Sequence, residues 1–203
     1  MDNIVYVTGN HGKYISIKEL FEKEGVGVDF QLYDFEEPDI NDIEVISREK
    51  VLNAYKLVGK PCFVADSGFY IEDYPGNPGY PGAFVKRSGI ADDVDTLLET
   101  MKDVKNRKSK FMDCLTFYDG IDFYRFYGYS EGTISYEKKG SNIIKAKSNL
   151  WYVFIPNNST KTLAEMDDYE RSHRNDNHVS ASEQFIKWYK DVYLKQSKLI
   201  LEQ

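Results

Sequence analysis

The sequence is poor in metal-binding and redox side chains, with only two cysteines and three histidines among 203 residues. Cys62 and Cys114 each lie in an apolar, strand-like run without CxxC spacing, and no His-Cys-Glu pattern suggests a zinc site, so two free buried thiols in a reducing compartment are expected. No apolar run approaches the roughly 18–20 residues of a membrane span. Met1-Asp2-Asn3 and the run after it lack the basic start and long apolar stretch of a signal peptide, so a cytoplasmic protein without membrane contact is expected. Positive charge is also short: 26 Lys and Arg face 33 Asp and Glu, a net charge of −7. That balance argues against a broad surface for a nucleic acid polymer, which leans on neutralising phosphates with Lys and Arg. A small phosphorylated ligand stays compatible, since a few local cations and a divalent metal suffice for it. No internal repeat is visible.

What is present suits one buried core, with 41% hydrophobic and 29% charged residues, and a single domain over 1–203 is expected. Ile4-Val5-Tyr6-Val7 predicts a strand, Thr8-Gly9-Asn10-His11-Gly12-Lys13 a loop, and Tyr14, Ile17, Leu20 and Phe21 one face of a helix closed near Gly25. Loop and first-turn N–H groups, the helix dipole and Lys13 favour an anion there, although an ordinary strand-to-helix turn fits the same residues. A P-loop is excluded, because the first glycine of GxxxxGK[ST] is missing and Tyr14 replaces its hydroxyl residue.

A strand over 28–33 and an acidic loop over 34–42 lead into a helix over 43–58. Ile43, Ile46, Val51, Ala54, Tyr55 and Val58 share its apolar face, with Ser47 and Lys50 off it. Gly59-Lys60-Pro61 then launches Cys62-Phe63-Val64-Ala65, which breaks on Asp66-Ser67-Gly68. An unpaired carboxylate is costly in an apolar layer, so this strand end predicts a polar cleft, a cation or a helix N-terminus beside Asp66; an Asp-Ser-Gly turn is the plainer alternative. A rigid Pro- and Gly-rich loop over 75–82 follows, then a helix over 92–104 capped by Asp92 or Asp93. Strands over 111–118, 121–129 and 132–136, with Asp119-Gly120 as a hairpin signal, predict an antiparallel segment. A strand over 150–155, a short helical piece from Thr162, and a last helix from Ser180 or Ser182 with Phe185, Tyr189 and Val192 inward complete the chain.

Five stretches in this order resemble the inosine triphosphate pyrophosphatase family, whose members split off-pattern purine nucleoside triphosphates into monophosphate and pyrophosphate. They are Thr8 through Lys13, Ala65-Asp66-Ser67-Gly68-Phe69, Gly76-Asn77-Pro78-Gly79, Lys161-Thr162-Leu163-Ala164-Glu165-Met166 and Ser172-His173-Arg174. The resemblance runs along nearly the whole chain. It implies an α/β fold, an elongated mixed central sheet flanked by helices, with a second lobe and a cleft between, and a homodimer that uses Mg2+ to hydrolyse a substrate such as ITP, dITP or XTP. By the same resemblance Thr8, Gly9, Asn10 and Lys13 would grip the triphosphate, with Ser67 and Gly68 beside the substrate. Asp66 would be metal ligand and general base, Lys50 would face the phosphates, Glu37 (or Glu36) would be the second metal ligand, and His173 and Arg174 would read the base. Four departures stand against the family pattern: Ala65 replaces the first of two acids, Ser148 through Pro156 lacks the base-stacking Phe and the Asp, and the lysine before the SHR motif is missing, with Asp168 nearest its place and Arg171 a substitute. They leave open the same chemistry on another modified nucleotide, or a nucleotide-binding module without turnover.

Overall fold

The computed structural model describes residues 3–141, 148–173 and 178–196. Seven strands form one sheet in the order β2 (Val28–Leu32), β1 (Ile4–Thr8), β3 (Cys62–Ile71), β5 (Lys108–Tyr118), β6 (Phe123–Ile134), β7 (Phe154–Pro156), with β4 (Pro81–Gly82) paired to β3. The chain divides into two compact units, the first made of Met1–Asp66, Asp113–Tyr127 and Ser180–Gln203, the second of Ser67–Met112 and Gly128–Val179.

In the first unit, β1 (Ile4–Thr8) runs parallel to β2 (Val28–Leu32), with Ile4 opposite Val28 and Thr8 opposite Leu32, and parallel to β3 (Cys62–Ile71), with Tyr6 opposite Phe63. Parallel strands covered on both faces read as continuous apolar runs, and both faces of β1 are buried here. Ile4 and Tyr6 pack with Phe63, with Leu115 and Phe117 of β5 (Lys108–Tyr118), and with helices α1 (His11–Lys23) and α5 (Ala181–Trp188) through Ile17, Phe21, Phe185 and Ile186. Val5 and Val7 pack with Cys62 and Val64 against Val51 and Ala54 of α2 (Ile43–Val58). Asp42 caps α2 by accepting from Glu44 N at 2.8 Å, and Gly59 at φ 66° ends it in the left-handed conformation that glycine adopts without strain.

The second unit has its own core of Phe69, Ile71, Leu97, Met101, Ile134, Leu150, Val153 and Phe154. There β4 (Pro81–Gly82) pairs antiparallel with the end of β3, and β7 (Phe154–Pro156) antiparallel with the end of β6 (Phe123–Ile134). The sheet is therefore mixed. Helix α3 (Val94–Thr100) is shorter than expected, with Asp93 as its cap, and a short helix, α4 (Asp168–Ser172), carries the start of the SHR motif. Among the described residues no helix is long and apolar enough to cross a membrane.

Several local expectations change. Asp66-Ser67-Gly68 does not end a strand: β3 continues through it to Ile71. Gly68 is required for close approach, since a Cβ there would stand 2.8 Å from the Tyr70 ring and 3.0 Å from Gly82 O. Ser47, expected off the packed face of α2, is fully buried, its hydroxyl 2.7 Å from that of Thr116. Residues Asn149–Tyr152 form a 3-10 helix, not the start of a strand, and where a helical piece is expected from Thr162 only a turn over 163–165 forms. Val192 is exposed, because the last helix widens into a π-helix over Tyr189–Tyr193 and shifts the inward face.

Candidate active site

The loop from β1 into α1 is built on its own side chains. Asn10 N donates to Thr8 Oγ1 at 3.1 Å, and Asn10 Oδ1 accepts from Lys13 N at 2.9 Å, capping α1. Gly9 leaves room for Asp34, whose Cβ would lie 2.8 Å from any Cβ added at position 9. The side chain of Lys13 turns back to the sheet and donates to Ala65 O at 3.3 Å, placing an ammonium beside the Asp66 stretch.

Lys50, projecting from α2, is the centre of the cluster. Its Nζ lies 2.5 Å from Asp66 Oδ1 and 2.5 Å from Glu37 Oε1, with side-chain exposures of 14% for Lys50, 10% for Asp66 and 26% for Glu37. Burial alone would make the ammonium easier to deprotonate, but the charges and hydrogen bonds of Asp66 and Glu37 outweigh it and hold the Lys50 pKa above the ordinary lysine value. Glu36 is exposed, so of the two candidate acids Glu37 is the one brought to Lys50.

Asp66 Oδ2 is buried and makes no hydrogen bond. A buried carboxylate oxygen without a donor is costly unless something else approaches it. Glu37 and Asp66 suit a hard divalent cation that takes its remaining ligands from phosphate and water, since Mg2+ commonly uses one or two carboxylates. Among the described residues no group of three or more His, Cys, Asp or Glu could hold an ion alone, so such a cation would share its ligation with the substrate. With two ammonium groups set against two carboxylates, the cluster is close to neutral and would need that extra charge to hold a triphosphate.

Tyr6 escaped the sequence reading. It is fully buried, stacked on Phe63 at 4.7 Å, and its hydroxyl makes no hydrogen bond. Burial pushes its pKa up, the nearby Thr8 hydroxyl opposes this, and the charges of Asp66 and Asp113 add to the rise. The only signal in the sequence was a phenol inside an otherwise aliphatic strand.

In the second unit, the His173 ring stacks on Tyr169 with centroids 4.2 Å apart, and its Nδ1 lies 2.9 Å from Ser172 Oγ and 3.0 Å from Tyr169 O. Ser67 and Gly68 lie within β3. Arg171, the expected stand-in for the missing lysine, donates to the carbonyls of Leu163 and Met166, pairs with Asp168, and lies over the Trp151 ring. Its guanidinium thus braces the turn before α4. Trp151 is partly buried and packs against the core of the second unit. Arg174 lies outside the described residues.

The Ham1 family model matches residues 4–188. A dITP/XTP pyrophosphatase of Saccharolobus solfataricus is 33% identical over 175 residues, covering 83% of this chain and 85% of the relative. A second, from Methanopyrus kandleri, is 29% identical over 199 residues, covering 93% and 96%. Among solved structures, a HAM1 protein from Coxiella burnetii superposes with a TM-score of 0.76 at 22% identity, covering 93% of this chain and all of that one (100%). That likeness shows the fold.

Proposed function

The chain belongs to the Ham1 family, and we propose that it is a nucleoside triphosphate pyrophosphatase that hydrolyses non-standard purine nucleotides of the dITP and XTP type to the monophosphate and pyrophosphate. The observation that carries the reading is the Lys50 ammonium fixed between Glu37 and Asp66, with Asp66 Oδ2 buried and without a partner.

In this reaction water attacks the α-phosphorus, the α–β bridging bond breaks, and pyrophosphate departs. Asp66 Oδ2 is the acceptor for the proton that the water gives up. Lys50 orients Asp66 through its contact with Oδ1, while Thr8, Gly9, Asn10 and Lys13 hold the phosphates through hydroxyl, amide and ammonium donors. Mg2+, held by Glu37 and Asp66, would supply charge neutralisation and Lewis acidity at the phosphates. Ser67 and Gly68 lie beside the substrate, and His173 and Arg174 read the base. A guanidinium donates to a keto group at the purine six-position and has nothing to offer an amino group there, which disfavours adenine. The same reading takes the chain as one catalytic domain, cytoplasmic and working as a homodimer.

The test is a panel of standard and deaminated nucleoside triphosphates with Mg2+, scored for monophosphate and pyrophosphate. Turnover led by dITP and XTP and lost in Asp66→Asn supports the proposal. Ligand-induced stabilisation without product would make the protein a binding module, and turnover of Asp66→Asn at the parent rate would remove Asp66 from the mechanism.

A further inference from the structure

Arg107 stands immediately before β5 and is buried, with 5% of its surface exposed. Its Nε donates to Ile134 O at 2.8 Å, one terminal nitrogen to Ser135 O at 2.7 Å, and the other to Met101 O. A guanidinium carries five N–H donors, so two remain after these three bonds. The carbonyls accept hydrogen bonds but neutralise no charge, and among the described residues no carboxylate pairs with Arg107. Burial accordingly holds its pKa below the ordinary arginine value. A buried cation without a counterion is costly unless an anion approaches it.

Arg107 lines an open cavity of about 490 Å³ together with Lys105, Lys108, Tyr136, Glu137 and Lys139. All of these residues belong to the second unit. Four cations face one acid, a local excess of three positive charges in a chain whose net charge is −7. Lys139 pairs with Glu137 at 3.4 Å, while Lys105 and Lys108 make no ion pair among the described residues. Asn106 fixes the turn that carries them, its Oδ1 accepting from Lys108 N at 3.2 Å and its Nδ2 donating to Glu72 Oε2 at 3.3 Å. Tyr136, 73% exposed, lays its ring over the Arg107 guanidinium at 4.5 Å, and no other ring or cation among the described residues meets it. The cavity therefore combines concentrated positive charge with a fixed aromatic plane, at a volume typical of small-molecule sites.

We propose that this cavity binds a small molecule in which a phosphate group is joined to a flat ring. Lys105, Lys108 and the two spare N–H donors of Arg107 hold the phosphate, which balances the buried charge. The ring lies on the exposed phenol of Tyr136. Phosphate alone would leave most of the cavity to water, and a nucleic acid polymer would need cations continuing over a surface that is acidic overall. The site is additional to the one proposed for hydrolysis, and its residues lie in one unit, so it does not rest on the hydrolase reading.

The test is equilibrium dialysis of radiolabelled AMP and, separately, of inorganic phosphate, without divalent metal, against the parent, the double variant Lys105→Gln/Lys108→Gln, and Tyr136→Ser. All three side chains are exposed, so the variants are expected to fold. The double variant is expected to lose about tenfold or more in affinity for both ligands. Tyr136→Ser is expected to lose about fivefold or more for AMP while binding phosphate as the parent does. Lys13→Gln, which removes an ammonium from the cluster proposed for hydrolysis, keeps this AMP binding and so separates the two sites. No AMP bound by the parent at about 1 mM, or equal AMP affinity in the parent and the double variant, overturns the inference. So does a Tyr136→Ser variant that binds AMP like the parent, or one that loses both ligands equally. A double variant that sediments at half the parent's mass, with no AMP bound by either protein, assigns the face to a second copy of the chain and also overturns it.

Discussion

Lys50 Nζ and Asp66 Oδ1 stand 2.5 Å apart, and this contact leaves the other oxygen of the same carboxylate buried and open. The two oxygens of one side chain differ: Oδ1 is fixed by an ammonium, and Oδ2, without a hydrogen-bond partner, is the one the proposed reaction uses. Replacing Lys50 by Met would leave two carboxylates facing each other with little solvent. Breaking so enclosed a pair costs about 3 kcal/mol, and if Lys50 faces the phosphates as proposed, its loss costs about a hundredfold or more in kcat. Urea unfolding and steady-state kinetics on Lys50→Met check both; a variant as stable as the parent would show that Lys50 does not hold the carboxylates together.

The two buried hydroxyls predict opposite outcomes. Tyr6 Oη has no hydrogen bond, whereas Ser47 Oγ donates to Thr116 Oγ1 at 2.7 Å. Tyr6→Phe removes an unsatisfied group and is expected to leave stability unchanged or raised, while Ser47→Ala leaves the buried Thr116 hydroxyl with only the weak contact of the Cys114 thiol, 3.8 Å away, and costs about 1 kcal/mol. Urea midpoints of the two variants, measured side by side, decide the contrast.

Gly9 tests the proposed grip of the β1–α1 loop on the triphosphate. Its missing side chain makes room for Asp34, with a would-be Cβ only 2.8 Å from the Asp34 Cβ. Gly9→Ala must displace Asp34 or the loop, so KM for the nucleotide is expected to rise at least tenfold with a smaller change in kcat. A parent-like KM would mean that the loop does not grip the substrate.

Burial pushes the Cys62 thiol from an ordinary value near 9.0 up to about 12. The folded state therefore holds this proton more tightly than the unfolded state does. The stabilisation is complete below pH 9 and falls as pH rises from about 9 towards 12. Urea midpoints at pH 8 and pH 10 should show that loss, and Cys62→Ala should reduce the difference between them. Cys62 and Cys114 are both free and buried, so a thiol reagent at pH 8 is expected to label them only after unfolding.

Much of this was legible in the chain because it is local. Helix α2 begins and ends where its apolar spacing, the Asp42 cap and Gly59 place it, and the strand and helix between Ile4 and Phe21 follow from β-branching and a helical period, although Asn10 caps α1 early enough that His11, Gly12 and Lys13, expected in the loop, are its first turn. What could not be read depends on partners far away in sequence. Ser47 is buried because Thr116 meets it from 69 residues away, and Asp66-Ser67-Gly68 stays in strand because β3 has neighbours that no local pattern names. The site divides in the same way. Motif order singled out Lys13, Lys50 and Asp66, but only the folded chain shows that Glu37 rather than Glu36 reaches Lys50, and that Arg171 is occupied with carbonyls.

The central claim is attack of water on the α-phosphorus with Asp66 taking the proton, and hydrolysis of dITP in 18O-enriched water tests it most directly. The account predicts one labelled oxygen in the monophosphate, none in the pyrophosphate, and loss of the reaction in Asp66→Asn. Label in the pyrophosphate, or release of orthophosphate and a nucleoside diphosphate as first products, would contradict it.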